Sequence, residues 1–232
     1  MTISSLIPRL NKNWYIDDTA QVFKGVIDDP SEFATWKDVE YCMNNPQFYN
    51  IQFINKDRGD IINVQKYPRV WRHDHADVPE LMDIFKAGHC MIINNFDSGL
   101  PKQQEILSHF EKHFTAKMAM HLYAGLDSCR SFNIHEDTAS NFIIQVEGET
   151  QWTVYKNKCS NIIDSASSIQ DMIPFLEKQV STLLVPGDIL YIPARCYHQA
   201  HPHGKRLSVS IPMQHMIPHI KSIDRKYYEL PH

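Results

Sequence analysis

The sequence lacks any long run of one charge. Its 23 lysines and arginines are balanced by 27 aspartates and glutamates, which gives a formal net charge of −4 at pH 7. Without a basic cluster, a nucleic-acid backbone is not favoured as a partner. No stretch approaches the roughly 20 apolar residues of a membrane-spanning helix, and the N-terminal residues have no apolar core of signal-peptide length. These absences predict a cytoplasmic protein without membrane attachment.

Cysteine is sparse, and its spacing forms no motif. An odd, scattered set without a C-x-x-C pair favours a reducing compartment over a disulfide framework. The spacing of cysteine and histidine also fails to match a zinc site. We therefore interpret the cysteines as small core residues. They are Cys42, Cys90, Cys129, Cys159 and Cys196.

The 232 residues, of which 43% are apolar, suffice for one sizeable core. Residues 1–117 mix helix and strand patterns and predict an α-rich N-terminal cover. Residues 118–212 form a series of short strand patterns, which is typical of a double-stranded β-helix, the jelly-roll or cupin barrel. Residues 213–232 form a tail apolar enough to pack on the barrel or to pair with another subunit. We expect a single compact, mainly β domain, with the oligomeric state open and a homodimer among the options.

Helix signals punctuate the N-terminal region and the longest connection. Asp29-Pro30 predicts the start of a helix through "DPSEFATWKDVEYCMNN". "VPELMDIFKAG" predicts a helix that ends at Gly88, and "LPKQQEILSHFEKHF" predicts an amphipathic helix. Two strands are expected in "FYNIQFINKDRGDIINVQ". The connection over residues 156–181 predicts a short helix near "SIQDMIPFLEK".

The segment "SFNIHED" predicts a strand with polar residues on one face. Strand alternation places His135, Asp137 and Asn133 on that face, whereas Phe132 and Ile134 should pack on helices from the other. An imidazole and a carboxylate on one face supply two of the three ligands of a facial non-haem iron(II) site. The alternative is a pair of polar strand residues, because H-x-D often occurs by chance.

A third ligand is available in "PGDILYIPARCYHQA", where His198 follows a tight turn, a strand and a proline bend. Its combination with His135 and Asp137 favours the metal site over the chance pair. Glu136, between the first two residues, should point the opposite way.

The segments "HEDTASNFIIQVEGETQWTVY" and "LLVPGDILYIPARCYHQA" resemble the Jumonji-C (JmjC) and cupin-type oxygenases, especially the branch of the ribosomal oxygenases and the factor-inhibiting asparaginyl hydroxylase. "KAGHCMIINNFD" and "HLYAG" extend the resemblance, which covers about residues 79–212. It implies that His135, Asp137 and His198 bind iron(II) and are the catalytic centre. It also implies a 2-oxoglutarate-dependent dioxygenase that hydroxylates a peptide side chain or a small metabolite, with release of succinate and CO2.

The co-substrate 2-oxoglutarate needs a cation for its far carboxylate, since a buried unpaired charge is costly. In the resembled branch, a lysine or arginine stands fifteen residues after the first histidine. Here that position is Thr150, a co-substrate-binding candidate that can donate one hydrogen bond but offers no charge. In "KRLSVSIP", alternation places Arg206 and Ser208 inside the barrel. Their Arg-x-Ser pattern resembles that of prolyl-hydroxylase-like members of the wider superfamily. This implies that Arg206 binds the carboxylate and that Ser208 assists.

Three further residues are candidates for the cavity wall. Tyr123 falls twelve residues before His135, where the resembled branch has a tyrosine that touches the co-substrate. The alternative for Tyr123 is a tyrosine of the barrel core. Asn133 and Asn141 are weaker candidates for the same wall.

Other histidines lack a complete ligand set. His73 and His75, in "WRHDHAD", predict a solvated loop, because no third partner is apparent. His201 should face away from His198 on a strand, and His203 falls in a predicted turn.

Two other functions stay open. One is a metal-dependent cupin enzyme that does not use 2-oxoglutarate, which the uncharged Thr150 favours. The other is a non-catalytic cupin-fold binding protein, which the complete ligand triad argues against.

Overall fold

The structure is a computed structural model that describes residues 19–55, 59–64, 78–158 and 173–214. The His73 and His75 pair, Cys159 and the residues after 214 lie outside this range, as do residues 168–172, the first five of the eleven that predict a helix in the longest connection. A 3-10 turn at Ile173–Phe175 is what the range includes of that connection's helix. Among the described residues, no helix combines the length and the apolar character needed to cross a bilayer.

Antiparallel strands dominate the fold, as the sequence predicts. Within the described ranges they form a ten-stranded sheet in the order β1-β9-β7-β10-β6-β4-β2-β3, with β5 also on β10 and β8 also on β7. The strands are β1 (Gln21–Phe23), β2 (Asn50–Asn55), β3 (Asp60–Val64), β4 (Cys90–Asn94), β5 (Lys117–Met118), β6 (His121–Gly125), β7 (Ser140–Lys158), β8 (Lys178–Leu184), β9 (Ile189–Ile192) and β10 (Cys196–Gln214).

The N-terminal region belongs to the same sheet as the barrel strands. β4 pairs with β6, and β2 pairs with β4, so residues before 117 extend the sheet as well as covering it. The helices of this cover are α1 (Trp36–Asn44), α2 (Val78–Lys86) and α3 (Pro101–Phe114). At the other boundary, β10 continues beyond residue 212 to Gln214.

β7 and β10 are each one long strand, although the sequence predicts two shorter strands in each place. β7 pairs with β9 over its first half and with β8 over its second half. Gly148 lies between the halves with φ of +71°, and an added Cβ would lie 2.0 Å from the Lys205 carbonyl oxygen. Only glycine fits this bend, which lets one strand continue between two partners.

α1 begins later than the sequence predicts. Asp29 and Pro30 start only a 3-10 turn, with the Asp29 carboxylate accepting a hydrogen bond from Ser31 N–H. The helix begins at Trp36 because Thr35 and Asp38 form a capping box. The other two predicted helices are confirmed, and α2 is followed by Gly88 at φ of +89°.

The main core lies between the helical cover and the outer face of the sheet. Phe110 of α3 packs on Phe142 of β7 with ring centroids 5.8 Å apart. Leu207, Val209 and Ile211 of β10 belong to this core. Alternate residues of β10 therefore point to the barrel interior, as the sequence predicts.

Candidate metal centre

Two backbone hydrogen bonds hold His135 beside His198. His135 N–H donates to the His198 carbonyl oxygen at 3.1 Å, and His198 N–H donates to the His135 carbonyl oxygen at 2.8 Å. The predicted strand over "SFNIHED" is wrong, because only His135 pairs, in an isolated bridge. Polar residues on both sides, including Asn133 and Asp137, favour bends over extended pairing. The two predicted ligands His135 and His198 are brought together by this bridge.

The side chains of His135, Asp137 and His198 form one cluster. Each offers a ligand atom, and these atoms all lie within 4.8 Å of one another. Asp137 Oδ2 lies 3.6 Å from His198 Nε2, and Asp137 Oδ1 lies 4.0 Å from His135 Nε2. Two imidazoles and one carboxylate are the donor set of a facial iron(II) site.

Both imidazoles are oriented by backbone carbonyls. His135 Nδ1 lies 2.8 Å from the Asn133 oxygen, and His198 Nδ1 lies 2.9 Å from the Cys196 oxygen. Because a carbonyl only accepts, Nδ1 carries the proton and Nε2 keeps its lone pair for a metal. Burial, with the neighbouring His135, lowers the pKa of His198 to about 4, which favours the neutral ligand form.

The carboxylate is oriented by a chain of two side chains. Asn141 Nδ2 donates to Asp137 Oδ2 at 2.7 Å, and Ser210 Oγ donates to Asn141 Oδ1 at 3.0 Å. Asn141 is buried and lines the cavity, so it contacts the predicted ligand Asp137 and also forms part of the wall. Such outer partners fix a metal ligand's orientation.

A cleft with about 540 Å³ of space, including its open mouth, connects the cluster to the barrel interior. Its walls combine the triad with apolar and hydroxyl side chains, and one arginine. Besides the triad they are Tyr123, Ser131, Phe132, Asn141, Ile143, Trp152, Ala200, Arg206, Ser208, Val209 and Ser210.

Arg206 is a buried cation without an acidic partner in the described part of the chain. Its side chain lines the cleft and the residue is 3% exposed. Nη2 lies 3.3 Å from Cys90 Sγ and 3.4 Å from Ser131 Oγ, whereas Nε has no hydrogen-bond partner within the described ranges. No carboxylate among the described residues forms an ion pair with this guanidinium. A buried charge without a counter-charge is costly. The arrangement of Arg206 therefore suits an anion that enters the cleft.

The hydroxyls near Arg206 are arranged differently from the sequence expectation. Ser208 lines the cleft, but its Oγ donates to Gln145 Oε1 at 3.1 Å. Ser131, which sequence reasoning missed, lies nearer the guanidinium and donates to Cys90 Sγ at 2.8 Å. A lone serine carries no motif, so only the long-range contacts reveal it.

The remaining candidates differ in their placement. Tyr123 lines the cleft, and burial raises the pKa of its hydroxyl. Thr150 is fully buried, is not part of the cleft wall, and its Oγ1 has no partner among the described residues. The Asn133 side chain is exposed, so this residue contributes its carbonyl to His135 rather than a side chain to the cleft. Phe132 is 38% exposed at the cleft with its ring 5.2 Å from that of His135, so its predicted packing on helices is wrong.

Comparison with protein families matches residues 95–219 to the JmjC domain. Among curated relatives, the Drosophila melanogaster "Bifunctional lysine-specific demethylase and histidyl-hydroxylase NO66" is 24% identical over 142 residues, which are 59% of this chain and 22% of that protein. "Ribosomal oxygenase 1" of Danio rerio is 25% identical over 135 residues, 56% of this chain and 24% of that protein. The chain therefore spans about a quarter or less of these relatives.

Solved structures share the fold. The Escherichia coli ribosomal oxygenase YcfD, in complex with cobalt and 2-oxoglutarate, aligns with a TM-score of 0.59 at 15% identity. The alignment covers 93% of this chain and 54% of that one. The same protein with cobalt and succinic acid aligns with a TM-score of 0.60 at 14% identity, over 95% of this chain and 57% of that one. At this identity the likeness establishes the barrel architecture.

Proposed function

The chain belongs to the JmjC-domain family, and from this premise we propose that it is an iron(II)- and 2-oxoglutarate-dependent dioxygenase that hydroxylates a protein or peptide side chain. One observation carries the proposal: three ligand atoms within 4.8 Å share a cleft with a buried arginine. The first feature suits iron(II) and the second suits a dicarboxylate. A binding protein would need neither in this combination.

His135, Asp137 and His198 would hold the metal. Iron(II), once bound with 2-oxoglutarate and O2, supplies the oxidative chemistry that yields succinate, CO2 and one hydroxyl group on the substrate. The protein's part is to fix geometry and exclude water. Asn141 keeps one oxygen of Asp137 in a hydrogen bond and leaves the other directed towards His135.

Arg206 would bind the far carboxylate of the co-substrate. A guanidinium presents a planar fork of donors that matches a carboxylate, and in the part of the chain that the structure describes Nε has no partner to release first. Ser131 Oγ, at 3.4 Å from Nη2, can turn its hydroxyl from the Cys90 sulfur to the same carboxylate. Tyr123 and Ser208 complete the polar wall.

The buried guanidinium also bears on the metal cupin that does not use 2-oxoglutarate. That alternative rests on Thr150, an uncharged residue at the position where the family resemblance implies a cation. The position of Arg206, on β10 and in the cleft wall, supports this residue as the cation in place of one on β7. A barrel without an anionic ligand would gain nothing from this buried charge.

The substrate class is proposed from the relatives. Their names include a histidyl-hydroxylase and ribosomal oxygenases, which supports a protein side chain over a small metabolite. Phe132, exposed beside His135, offers an aromatic surface at the cleft for the incoming group. A cytoplasmic location is part of the proposal and fits the burial of the cysteines among the described residues.

Turnover with candidate substrates tests the proposal. The protein is incubated with iron(II), 2-oxoglutarate and O2, together with ribosomal-protein peptides or a panel of metabolites. We expect succinate, and one added oxygen atom on a peptide by mass spectrometry. The Asp137→Ala variant is the blank. Succinate that never exceeds this blank would overturn the proposed chemistry, and an oxidised metabolite without any oxidised peptide would overturn the substrate class.

A further inference from the structure

The turn between β9 and β10 contacts the segment that carries His135 and Asp137 through hydrogen bonds and an ion pair. Arg195, in this turn, donates its backbone N–H to the Asp137 carbonyl oxygen at 2.7 Å. Its Nη1 lies 3.1 Å from Glu136 Oε1. Beside it, Ala194 N–H donates to Ser140 Oγ at 3.0 Å. The turn therefore holds the chain on both sides of Asp137.

The two partners of the ion pair lie close in the sequence to the proposed metal ligands. Glu136 stands between the ligands His135 and Asp137, and its side chain points away from the cleft, as the alternation predicts. Arg195 stands three residues before the third ligand, His198. One ion pair thus joins the two segments that carry all three ligands.

Arg195 and Glu136 differ from the partners of an ordinary surface ion pair in their burial and in the backbone conformation of Arg195. The side chains are only 25% and 17% exposed, and Glu136 Oε2 is buried without a hydrogen-bond partner among the described residues. Arg195 has φ of +66°, a left-handed conformation that is unfavourable for a residue with a Cβ. Strain of this kind persists where surrounding contacts impose it, and it gathers at functional sites.

We propose that Arg195 is a positioning residue for the metal centre, acting through its ion pair with Glu136. The inference rests on the proposed metal-dependent function. In the folded protein, the guanidinium neutralises Glu136 and fixes the peptide that joins His135 to Asp137. Without the Arg195 guanidinium, the mostly buried Glu136 carboxylate has no counter-charge. It then turns towards solvent or towards the ligand cluster. Either movement shifts Asp137 relative to the two imidazoles.

Cobalt(II) is the probe for the test, because its visible spectrum reports both occupancy and coordination geometry. Arg195→Gly removes the guanidinium, keeps the N–H donor and relieves the left-handed backbone. Glu136→Ala removes the carboxylate. We expect each variant to bind cobalt(II) about tenfold more weakly or worse, which is the usual effect of losing an outer partner of a ligand. The double variant should bind cobalt(II) no more weakly than either single variant, because the two substitutions remove the same interaction.

Matched variants separate positioning from general stability. Lys156→Ala removes an exposed ion pair, that of Lys156 with Glu177, and should leave cobalt(II) affinity unchanged. Arg195→Lys keeps the charge and should recover part of the affinity. Unfolding of the metal-free variants is followed in parallel by circular dichroism. A purely structural role would lower the unfolding temperature and leave the spectrum and affinity unaltered.

The outcomes distinguish this inference from the function on which it rests. If the wild-type protein binds no cobalt(II), the proposed metal centre is wrong, and the positioning role is wrong with it. If the wild type binds and both single variants bind within twofold of it, only the positioning role is overturned. Should Arg195→Gly fail to fold, Glu136→Gln gives the same comparison, because it removes the charge and keeps the shape.

Discussion

His135 and His198 are distant in the sequence, yet each donates its backbone N–H to the carbonyl oxygen of the other, at 3.1 and 2.8 Å. Their rings lie 4.3 Å apart by centroid. The pairing depends on backbone atoms, so it does not require either imidazole. Substitutions of these side chains can therefore remove metal ligands while the local chain path is kept.

The first prediction concerns this pair. His135→Ala should lose stoichiometric iron(II) or cobalt(II), with affinity falling at least about 100-fold, because even outer-partner substitutions cost about 10–100-fold. Equilibrium dialysis with metal analysis measures the loss. His203→Ala, at an exposed histidine of β10, should bind as the wild type does. Full metal content in His135→Ala would contradict the ligand assignment.

Arg206→Ala should weaken 2-oxoglutarate binding by about 10–100-fold, because a hydrogen bond to a charged group contributes about 1.5–3 kcal/mol. Metal binding should be kept, since Arg206 contacts no ligand residue in the described structure. Calorimetric titration of 2-oxoglutarate into the manganese(II)-loaded protein measures this.

Lys205→Ala is the matched control for Arg206→Ala. Lys205 is the preceding residue, its side chain is 51% exposed, and it pairs with Glu147 outside the cleft. It should leave the 2-oxoglutarate affinity unaltered. Equal losses in the two variants would show that the effect belongs to the strand and not to the buried guanidinium.

The two serines of the cleft should differ in their effect. Ser131→Ala is expected to weaken 2-oxoglutarate binding severalfold, about 1 kcal/mol for one hydrogen bond. Ser208→Ala should weaken it less, because the Ser208 hydroxyl already donates to Gln145. The same calorimetric titration ranks them. A larger loss for Ser208→Ala would restore the Arg-x-Ser arrangement that the sequence predicts.

Glu147 should make stability depend on pH. Burial alone would raise the pKa of Glu147, but hydrogen bonds from Lys205 and Trp36 lower it below the ordinary value of 4.5. Its contribution is present above the unfolded-state pKa and is lost as the pH falls through the lower folded-state pKa. The wild type should be more stable than Glu147→Gln at neutral pH, by up to about 1 kcal/mol because the group is half exposed.

Urea unfolding at several pH values measures this difference in free energy of unfolding. The advantage of the wild type should shrink as the pH falls below 4.5. Glu177→Gln, which breaks the more exposed pair with Lys156, should have little effect at any pH. A constant difference across the range would show that the Glu147 charge plays no part.

Strand periodicity predicts one side of the cleft well. From 206 to 211, alternation assigns Arg206 and Ser208 to the interior and Leu207 and Ile211 to the helical cover, and the structure has them there. The strand signal works because both faces of β10 are buried, one by apolar and one by polar surroundings. A single slip in register would exchange them.

Strand periodicity fails for the segment that carries His135 and Asp137. The same alternation predicts a strand over residues 131–137, whereas the chain bends there and Phe132 is exposed at the cleft. His135 and Asp137 still converge, through the bridge to His198 and the bond from Asn141. These contacts join residues far apart in the chain, so local pattern has no access to them.

The contacts of Arg206 are likewise not predictable from the local sequence pattern. Its neighbours Cys90 and Ser131 come from β4 and from the turn before His135. Neither belongs to a motif, and cysteine in particular was expected only as a core residue. Contacts between three separate segments follow from how the sheet closes, which the order of strands alone does not specify.

An anaerobic titration of the wild-type protein with iron(II) and then 2-oxoglutarate tests the central claim most directly. If the three ligands and Arg206 form one site, a visible charge-transfer band of the iron–2-oxoglutarate chelate should rise and saturate at one equivalent, and it should be absent in His135→Ala and weakened in Arg206→Ala. A wild-type protein that gives no band at saturating iron(II) and 2-oxoglutarate would contradict the account.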